Sequence, residues 1–477
     1  MTRVAYLSYS SGEFDGRTQR MARSAIDAGY DVIVYARWQK GLPLEEAGPG
    51  YRIVRIPAIP DLVLPWRRRR GRQRLAEILA GAPTGAAADS ASADGDVDQG
   101  IGSVGPTAPT KPTDSRRAGF PTRVVRRLAR PAHRAIRWLS NPPWMHPIML
   151  FPLRPLGWAI PLEELTEPAD IWHGMWAGSL PALSRLRARH GGRTIYDSRD
   201  VYMRSRGFER LGPFKAPFAW LERRWARQAD AVLTVNDAYA DLLARQLGVP
   251  RPPVVRNTPN RYVRPEPPPD LLRERLGLAP DTRVVLYQGG LMSDRGIEQG
   301  MDAILSVPNA IFAIMGFGNR RDEIVALGSS ERYRERVRFL EPVAPDELLD
   351  WTASADVMLM AIQPTSTNHQ FTTPQKLWEA IVAGVPVVAS DLPGMAEIVR
   401  ELDCGVLVDA TSPADIARGI LAVLDAPPGD RAAMRDRAWR GGQDRYNWES
   451  QLDALFGLYR NLLEDAPRGL SARRVAR

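Results

Sequence analysis

The chain alternates between short apolar runs and amphipathic stretches, and it does so twice. RVAYLSYS comes first, then a Gly/Ser/Asp loop, then TQRMARSAIDAGY, then a second apolar run, DVIVYAR. Met21, Ala22, Ala25 and Ile26 recur at helical spacing and give that middle stretch one buried stripe, with Gly29 ending it. YRIVRIP predicts a further strand. After a long interruption the alternation resumes with DIWHGM, RTIYDSR, AVLTVN and PVVRN, separated by helical segments that include WLERRWARQ. A Pro-rich linker, RYVRPEPPPD, marks a domain boundary. Beyond it RVVLYQGG, AIFAIMGFG, VRFLEP, ADVMLMAI, VPVVASD and GVLVD predict strands, each followed by a helix. Such apolar runs suit strands covered on both faces, as in parallel sheets. The pattern predicts two tandem, doubly wound α/β domains facing across a cleft. Their expected bounds are 1–262 and 272–445, followed by a C-terminal helix over 446–465 that packs back toward the first domain and a basic tail over 466–477.

The interruption, about 62–155, predicts a partly disordered basic insertion in the first domain. It opens with WRRRRGRQR and continues through GAPTGAAADSASADGDVDQGIGSVGPTAPTKPTDS, which is too poor in large apolar side chains to build a core. In PTRVVRRLARPAHRAIRWLS, Val125, Leu128, Ala132, Ile136 and Leu139 recur at helical spacing against Arg126, Arg127, Arg130, Arg134 and Arg137, and Pro131 predicts a kink. The net charge of +9 sits here: Arg67 to Arg137 holds 15 basic and 6 acidic residues, so the rest of the chain balances. With Trp138 and Trp144 nearby, the segment over about 67–144 suits an anionic membrane surface. Nucleic acid is the rival partner for an arginine run and is not the expected one. The single cysteine, Cys404, forms no intrachain disulfide and fits a reducing compartment. RVAYLSYS is too short for a secretory core, and no apolar run reaches membrane-spanning length, so the expected location is the cytoplasm, peripheral to the inner face of the membrane.

Candidate chemistry concentrates in FTTPQKLWEAIVAGVPVVASD. Thr373 is the expected cap of a helix and Pro374 its first residue. Lys376 then faces the positive end of the helix dipole, an arrangement that makes sense if an anion sits there too. Lys376 and Glu379 are three apart and share a face. They read either as a surface salt bridge or as a site holding a diphosphate with the ammonium and ribose hydroxyls with the carboxylate. In LYQGGLMSDRGIE, Gly289 and Gly290 allow close backbone approach and Arg295 stands at a helix mouth, free to grip phosphate or to pair with Asp294 or Glu298. GFGNRRDE repeats a Gly-x-Gly turn at Gly316. In the first domain His173 ends DIWHGM, facing the cleft or satisfied in the core. Arg199 and Asp200 read equally as groups that position an acceptor or touch phosphate, or as a structural ion pair. Asp15 and Arg17, beyond Gly12, read as a local brace for the first helix. No metal cluster is expected, since Asp-x-Asp is missing at strand ends and the five histidines are scattered.

The order of these motifs resembles glycosyltransferase family 4, whose fold, GT-B, has two Rossmann-like domains. PQKLWEAIVAGVPVVASDLPGMAEIV is the most specific match; SDRGIE, MGFGNRRDEI, VRFLEPVAPDELLDWTASADVML, CGVLVDATSPADIARGI, FDGRTQRMARSAIDAGYDVIVYAR and IYDSRDVY also resemble family segments. The resemblance covers nearly all the chain outside about 60–155 and the last ten or so residues. It implies that Glu379 binds donor ribose, that Lys376 and Arg295 hold the diphosphate, that Val343 lies against the nucleobase, that Asn368 approaches the donor sugar, and that Gly12, Asp15 and Arg17 belong to an acceptor-side loop. Two positions depart from the family: Phe371 stands where many relatives carry a second glutamate, and Gly290 where many carry arginine. The implied activity is transfer of a sugar from a nucleotide-sugar co-substrate to a hydroxyl of a glycan or lipid-linked acceptor, with retention and without metal or other cofactor. A sugar-nucleotide epimerase of the same fold and a non-catalytic nucleotide- or glycan-binding scaffold are the alternatives.

Overall fold

A computed structural model of the chain describes residues 1–12, 15–81 and 148–464. The first sheet comprises β1 (Arg3–Ser8), β2 (Asp31–Arg37), β3 (Glu45–Ala47), β4 (Arg52–Ile56), β5 (Ile171–Met175), β6 (Arg193–Ser198) and β7 (Ala231–Thr234). Their spatial order is β3-β4-β2-β1-β5-β6-β7, and only β3 runs antiparallel. The second sheet comprises β8 (Arg283–Gln288), β9 (Ala310–Met315), β10 (Val337–Leu340), β11 (Val357–Met360), β12 (Val387–Ser390) and β13 (Gly405–Val408), ordered β10-β9-β8-β11-β12-β13 and parallel throughout. In both, the chain winds outward one way from a central strand and then the other. That creates a topological switch point, between β1 and β5 in the first domain and between β8 and β11 in the second. Strand faces are apolar on both sides, so each sheet is sandwiched between helical layers.

The last helix, Leu452–Glu464, returns to the first domain. Its Leu455, Phe456, Tyr459 and Leu462 join the core built by Val4, Tyr6, Met21 and Val34, and the Trp448 indole donates to Ser24 Oγ at 2.9 Å. Three expectations change. PVVRN contributes one bridge, Thr234 to Val254, in place of a strand. The strand in VPVVASD starts at Val387, after Pro386. The arginine run that was to open the disordered insertion is helical, Arg68–Leu79, and buries Leu75 and Ile78 against Ile59 and Leu62. Gly71 permits that approach, since an added Cβ would meet the Leu62 backbone nitrogen at 2.9 Å. Arg72 then pairs bidentately with Glu164. The kinked amphipathic segment and the basic tail lie outside the described residues.

Candidate active site

The second switch point brings three elements together. The end of β8 supplies Tyr287, Gln288 and Gly289; the loop after β9 supplies Gly316; the helix Gln375–Ala383 supplies Lys376 and Glu379. The chain passes closely here. A Cβ on Gly316 would stand 1.9 Å from the Gly289 carbonyl oxygen, so only glycine fits. Gly289 has φ +118, and its hydrogen-facing side looks at Lys376 Nζ, 3.5 Å from where a Cβ would be.

Lys376 occupies the second position of its helix. The cap is Pro374 and not Thr373 as the sequence suggested. Thr373 is drawn away by the first domain, where its hydroxyl accepts from Asn236 Nδ2 at 3.2 Å. The Lys376 ammonium lies 3.7 Å from the centre of the Tyr287 ring. Tyr287 is fixed in turn by donating to the Gly290 carbonyl at 2.6 Å. Burial, and next the nearby Arg295 charge, push the Lys376 amine down to about 7, while Glu379 only partly offsets them. Glu379 is buried and spends its Oε2 on Gln288, whose amide donates at 2.5 Å and whose carbonyl oxygen accepts from Thr352 at 2.9 Å. Burial raises the Glu379 carboxyl, and the Gln288 bond and the charges of Lys376 and Arg20 pull the other way. Val343 is half-buried against the second domain's core beyond β10.

Gln288 was not singled out in the sequence, although it is the last residue of a strand before a glycine pair. Replacing it by Leu removes the donor that aims Glu379 and leaves the carboxylate buried without it. Unfolding free energy should fall by about 1–3 kcal/mol, read by urea denaturation.

In the first domain the structure decides between the open readings. His173 lies inside β5 and is fully buried, the core reading and not the cleft one. Its Nδ1 is 2.6 Å from the Tyr459 hydroxyl, and its Nε2 stands 3.7 Å from Asp197, too far for a hydrogen bond. Burial pushes its pKa down, with Asp197 partly compensating. Arg17 does not brace Asp15. It reaches Asp197 through Nε at 2.8 Å, and both side chains have no exposure. Asp15 caps the Gly16–Asp27 helix at Thr18 and takes a two-pronged contact from Arg199, at 2.8 and 3.2 Å. Burial alone would raise the Asp15 carboxyl, but Arg199 and the hydroxyls of Thr18 and Ser8 bring it to about 2. Of the two readings of Arg199, the ion pair is the one formed, with Asp15 and not with Asp200. The Gly12 N–H donates to Ser10 Oγ at 3.3 Å in the same loop.

Asn368 is spent on the domain interface. Its Oδ1 accepts from the Val201 N–H at 3.0 Å, its Nδ2 donates to Asp200 at 3.1 Å, and its carbonyl accepts from the Tyr239 hydroxyl at 2.9 Å. Arg206 pairs with Asp294, and Glu209 accepts from the Thr367 N–H and hydroxyl. Arg20, also missed, bonds Asn257 at 2.6 Å and carries its charge toward Glu379 across the cleft. These contacts hold the two switch points face to face.

Two doubly wound domains, with a cationic helix N-terminus and a buried carboxylate at the switch point of the second, define the GT-B class of nucleotide-binding folds. The family model described as glycosyl transferases group 1 matches residues 282–426, and that of the glycosyl transferase 4-like domain matches residues 96–259. A D-inositol 3-phosphate glycosyltransferase of Xylanimonas cellulosilytica is 30% identical over 201 residues, 41% of this chain and 46% of that protein. Sucrose-phosphate synthase of Thermosynechococcus elongatus superposes with a TM-score of 0.64 at 16% identity, over 98% of this chain and 100% of its own. HepE of Anabaena, in complex with UDP and glucose, gives 0.59 at 13%, over 97% and 100%. The chain belongs to the glycosyltransferases of the family 4 type, with the GT-B fold. It spans about half the length of the curated relatives it matches.

Proposed function

We infer that this protein transfers a sugar from a nucleotide-sugar donor, held at the second domain's switch point, to a hydroxyl presented by the first domain. One observation carries the reading: the half-buried Lys376 ammonium at the N-terminal turn of its helix, with Glu379 hydrogen-bonded to Gln288. A diphosphate there answers the charge, takes the free N–H groups of the first turn, and leaves Glu379 for ribose. As the bond to the sugar breaks, negative charge grows on the leaving phosphate. Lys376 stands at the helix N-terminus with the Arg295 charge nearby, a preset positive field of the kind that electrostatic catalysis requires. The proposal extends to transfer with retention, without metal or other cofactor, the charge being met by these groups.

The acceptor is proposed to be a glycan or a lipid-linked sugar, with the work done in the cytoplasm at the inner face of a membrane. The helix Arg68–Leu79 supports contact with an anionic surface: Arg68, Arg69 and Arg70 are exposed at its start and Trp66 beside them is 78% exposed. No described helix is long and apolar enough to cross a membrane.

The test is a thermal-shift panel of nucleoside diphosphates and their sugars. A ligand at a hundred times its Kd adds about 2.7 kcal/mol of stability. One nucleotide should shift the wild type, with the shift lost in Lys376→Ala and in Glu379→Ala, and its sugar should turn over only when an acceptor is added. Turnover to an epimerised sugar without acceptor would mean an epimerase. Binding without turnover, unaffected by Glu379→Ala, would mean a scaffold.

A further inference from the structure

The first domain's switch point holds an aromatic shelf. Ser8 and Met175 are register partners at the ends of β1 and β5, so the next residues, Tyr9 and Trp176, emerge side by side from adjacent strands. Their rings are stacked, 5.9 Å between centroids and 24° between planes. Tyr202 closes the corner edge-on to Trp176 at 4.7 Å, and the Arg37 guanidinium lies 5.0 Å from the Tyr9 ring. Gly178 makes room, since a Cβ there would press on the Tyr9 ring at 2.7 Å and on Trp176 at 2.9 Å.

Trp176 stands in a backbone conformation, φ 67 and ψ 161, that belongs almost wholly to glycine. The chain is held there from both sides. The Trp176 N–H donates to the Asp197 carbonyl at 2.9 Å, and its own carbonyl accepts from the Ser179 N–H and hydroxyl at 3.0 and 2.8 Å. A bulky side chain at such a position costs free energy that glycine would avoid. Trp176 packs part of its ring on the core beside Tyr9 and Tyr202 and leaves the rest accessible. The conformation sets this large flat ring just past the strand ends, where ligands of doubly wound sheets bind. Val201, next to Tyr202, is the residue bonded by Asn368 of the second domain, so the shelf lies beside the junction with the donor side.

We propose that Trp176, backed by Tyr9, is the platform on which the acceptor's six-membered polyol ring, a pyranose or a cyclitol, lies flat while it awaits transfer. One face of such a ring is a patch of C–H bonds. Those hydrogens carry partial positive charge and meet the electron-rich face of the indole, while their apolar area leaves water. The ring's hydroxyls stay at its rim, free for hydrogen bonds and for reaction. This rests on the transferase reading above, and it names the acceptor's reacting unit.

The experiment is saturation-transfer NMR on the full chain, with methyl α-D-glucopyranoside, methyl α-D-mannopyranoside and myo-inositol as separate probes, with and without the nucleotide found by thermal shift. At least one probe should receive saturation, strongest on the C–H protons of one ring face; the two glycosides against myo-inositol separate pyranose from cyclitol. Trp176→Ala should weaken that binding about tenfold, and Trp176→Phe should keep part of it. Trp176→Gly should melt no lower than Trp176→Ala, because only glycine takes this backbone without strain. All three should retain the wild-type thermal shift with nucleotide. Sugar signals unchanged in Trp176→Ala, or absent in a wild type that still binds nucleotide, would overturn the platform. A wild type that takes a sugar through Trp176 but binds no nucleotide would leave the platform standing and sink the transferase reading.

Discussion

Affinity for a nucleoside diphosphate should fall about tenfold for each pH unit above about 7. The slope should be lost in Lys376→Arg. The Lys376 amine is pushed down to about 7 in the free protein, first by burial and then by Arg295. Above that pH the free protein holds a neutral amine, but a diphosphate stabilises the ammonium. Binding must therefore take up a proton, and each added pH unit costs one factor of ten until the amine's pKa in the complex is reached. The ligand adds little to the slope, because a terminal phosphate is half-ionised near pH 6 and almost fully ionised above about 7. Arginine stays charged throughout, so its variant binds with no such slope, although a fork in place of a point charge weakens it overall. The free protein's own stability follows the same group. Between about 7 and about 10.4 the unfolded chain binds the proton that the folded one refuses, so stability rises with pH across that window, and below it the penalty is fully present. Titration calorimetry at pH 8 in two buffers of different ionisation enthalpy reads the uptake directly, expected near one proton. No uptake would mean that the diphosphate sits away from Lys376.

The grouping of Lys376, Glu379 and the glycines in the second domain was legible because its signals are local. Lys376 and Glu379 share a face by spacing alone, and the glycines of β8 and β9 announce a close backbone crossing. Gln288 escaped notice because its partner lies 91 residues away, and only the folded sheet brings a strand end against that helix. The first domain was left open for the same reason. Sequence proximity offered Arg17 as a brace beside Asp15, and left His173 either facing the cleft or satisfied in the core. The fold instead gives Arg17 to Asp197, 180 residues on, gives Asp15 to Arg199, and seals His173 beneath Tyr459 of the returning helix. Thr373 shows that even a local rule yields when the neighbouring domain offers a better donor. Doubly wound architecture follows from repeating βα units, each short enough to read. Which buried charge meets which follows from the packing of many such units, and residue spacing carries no record of it.

Arg17→Met should cost about 3–5 kcal/mol of unfolding free energy, and adding Asp197→Leu should recover most of that loss. Arg17 and Asp197 form an ion pair with no solvent exposure, 2.8 Å apart, in the interior between β6 and the first helix. Removing the guanidinium strands a carboxylate there, with the His173 ring at 3.7 Å and the more distant Arg199 charge to answer it. The pair itself is imperfectly satisfied, since both Arg17 Nη atoms and Asp197 Oδ1 lack hydrogen-bond partners. Its attraction therefore does not fully offset the desolvation of two charges, and two apolar side chains serve the fold nearly as well. The pH response separates this from a loss of packing. In the wild type burial alone would raise the Asp197 carboxyl, but Arg17 and next His173 hold it well below the usual carboxylate range. That contribution is present above about pH 4 and is lost as pH falls through the folded pKa. In Arg17→Met the sign reverses: the stranded carboxyl is easier to bury protonated, so the variant's deficit should shrink as pH falls from 7 to 5. Urea unfolding of wild type, both single variants and the double variant at those two pH values completes the cycle. A deficit that stays constant with pH, or that the second substitution deepens, would assign Arg17 a packing role and leave Asp197 without need of its charge.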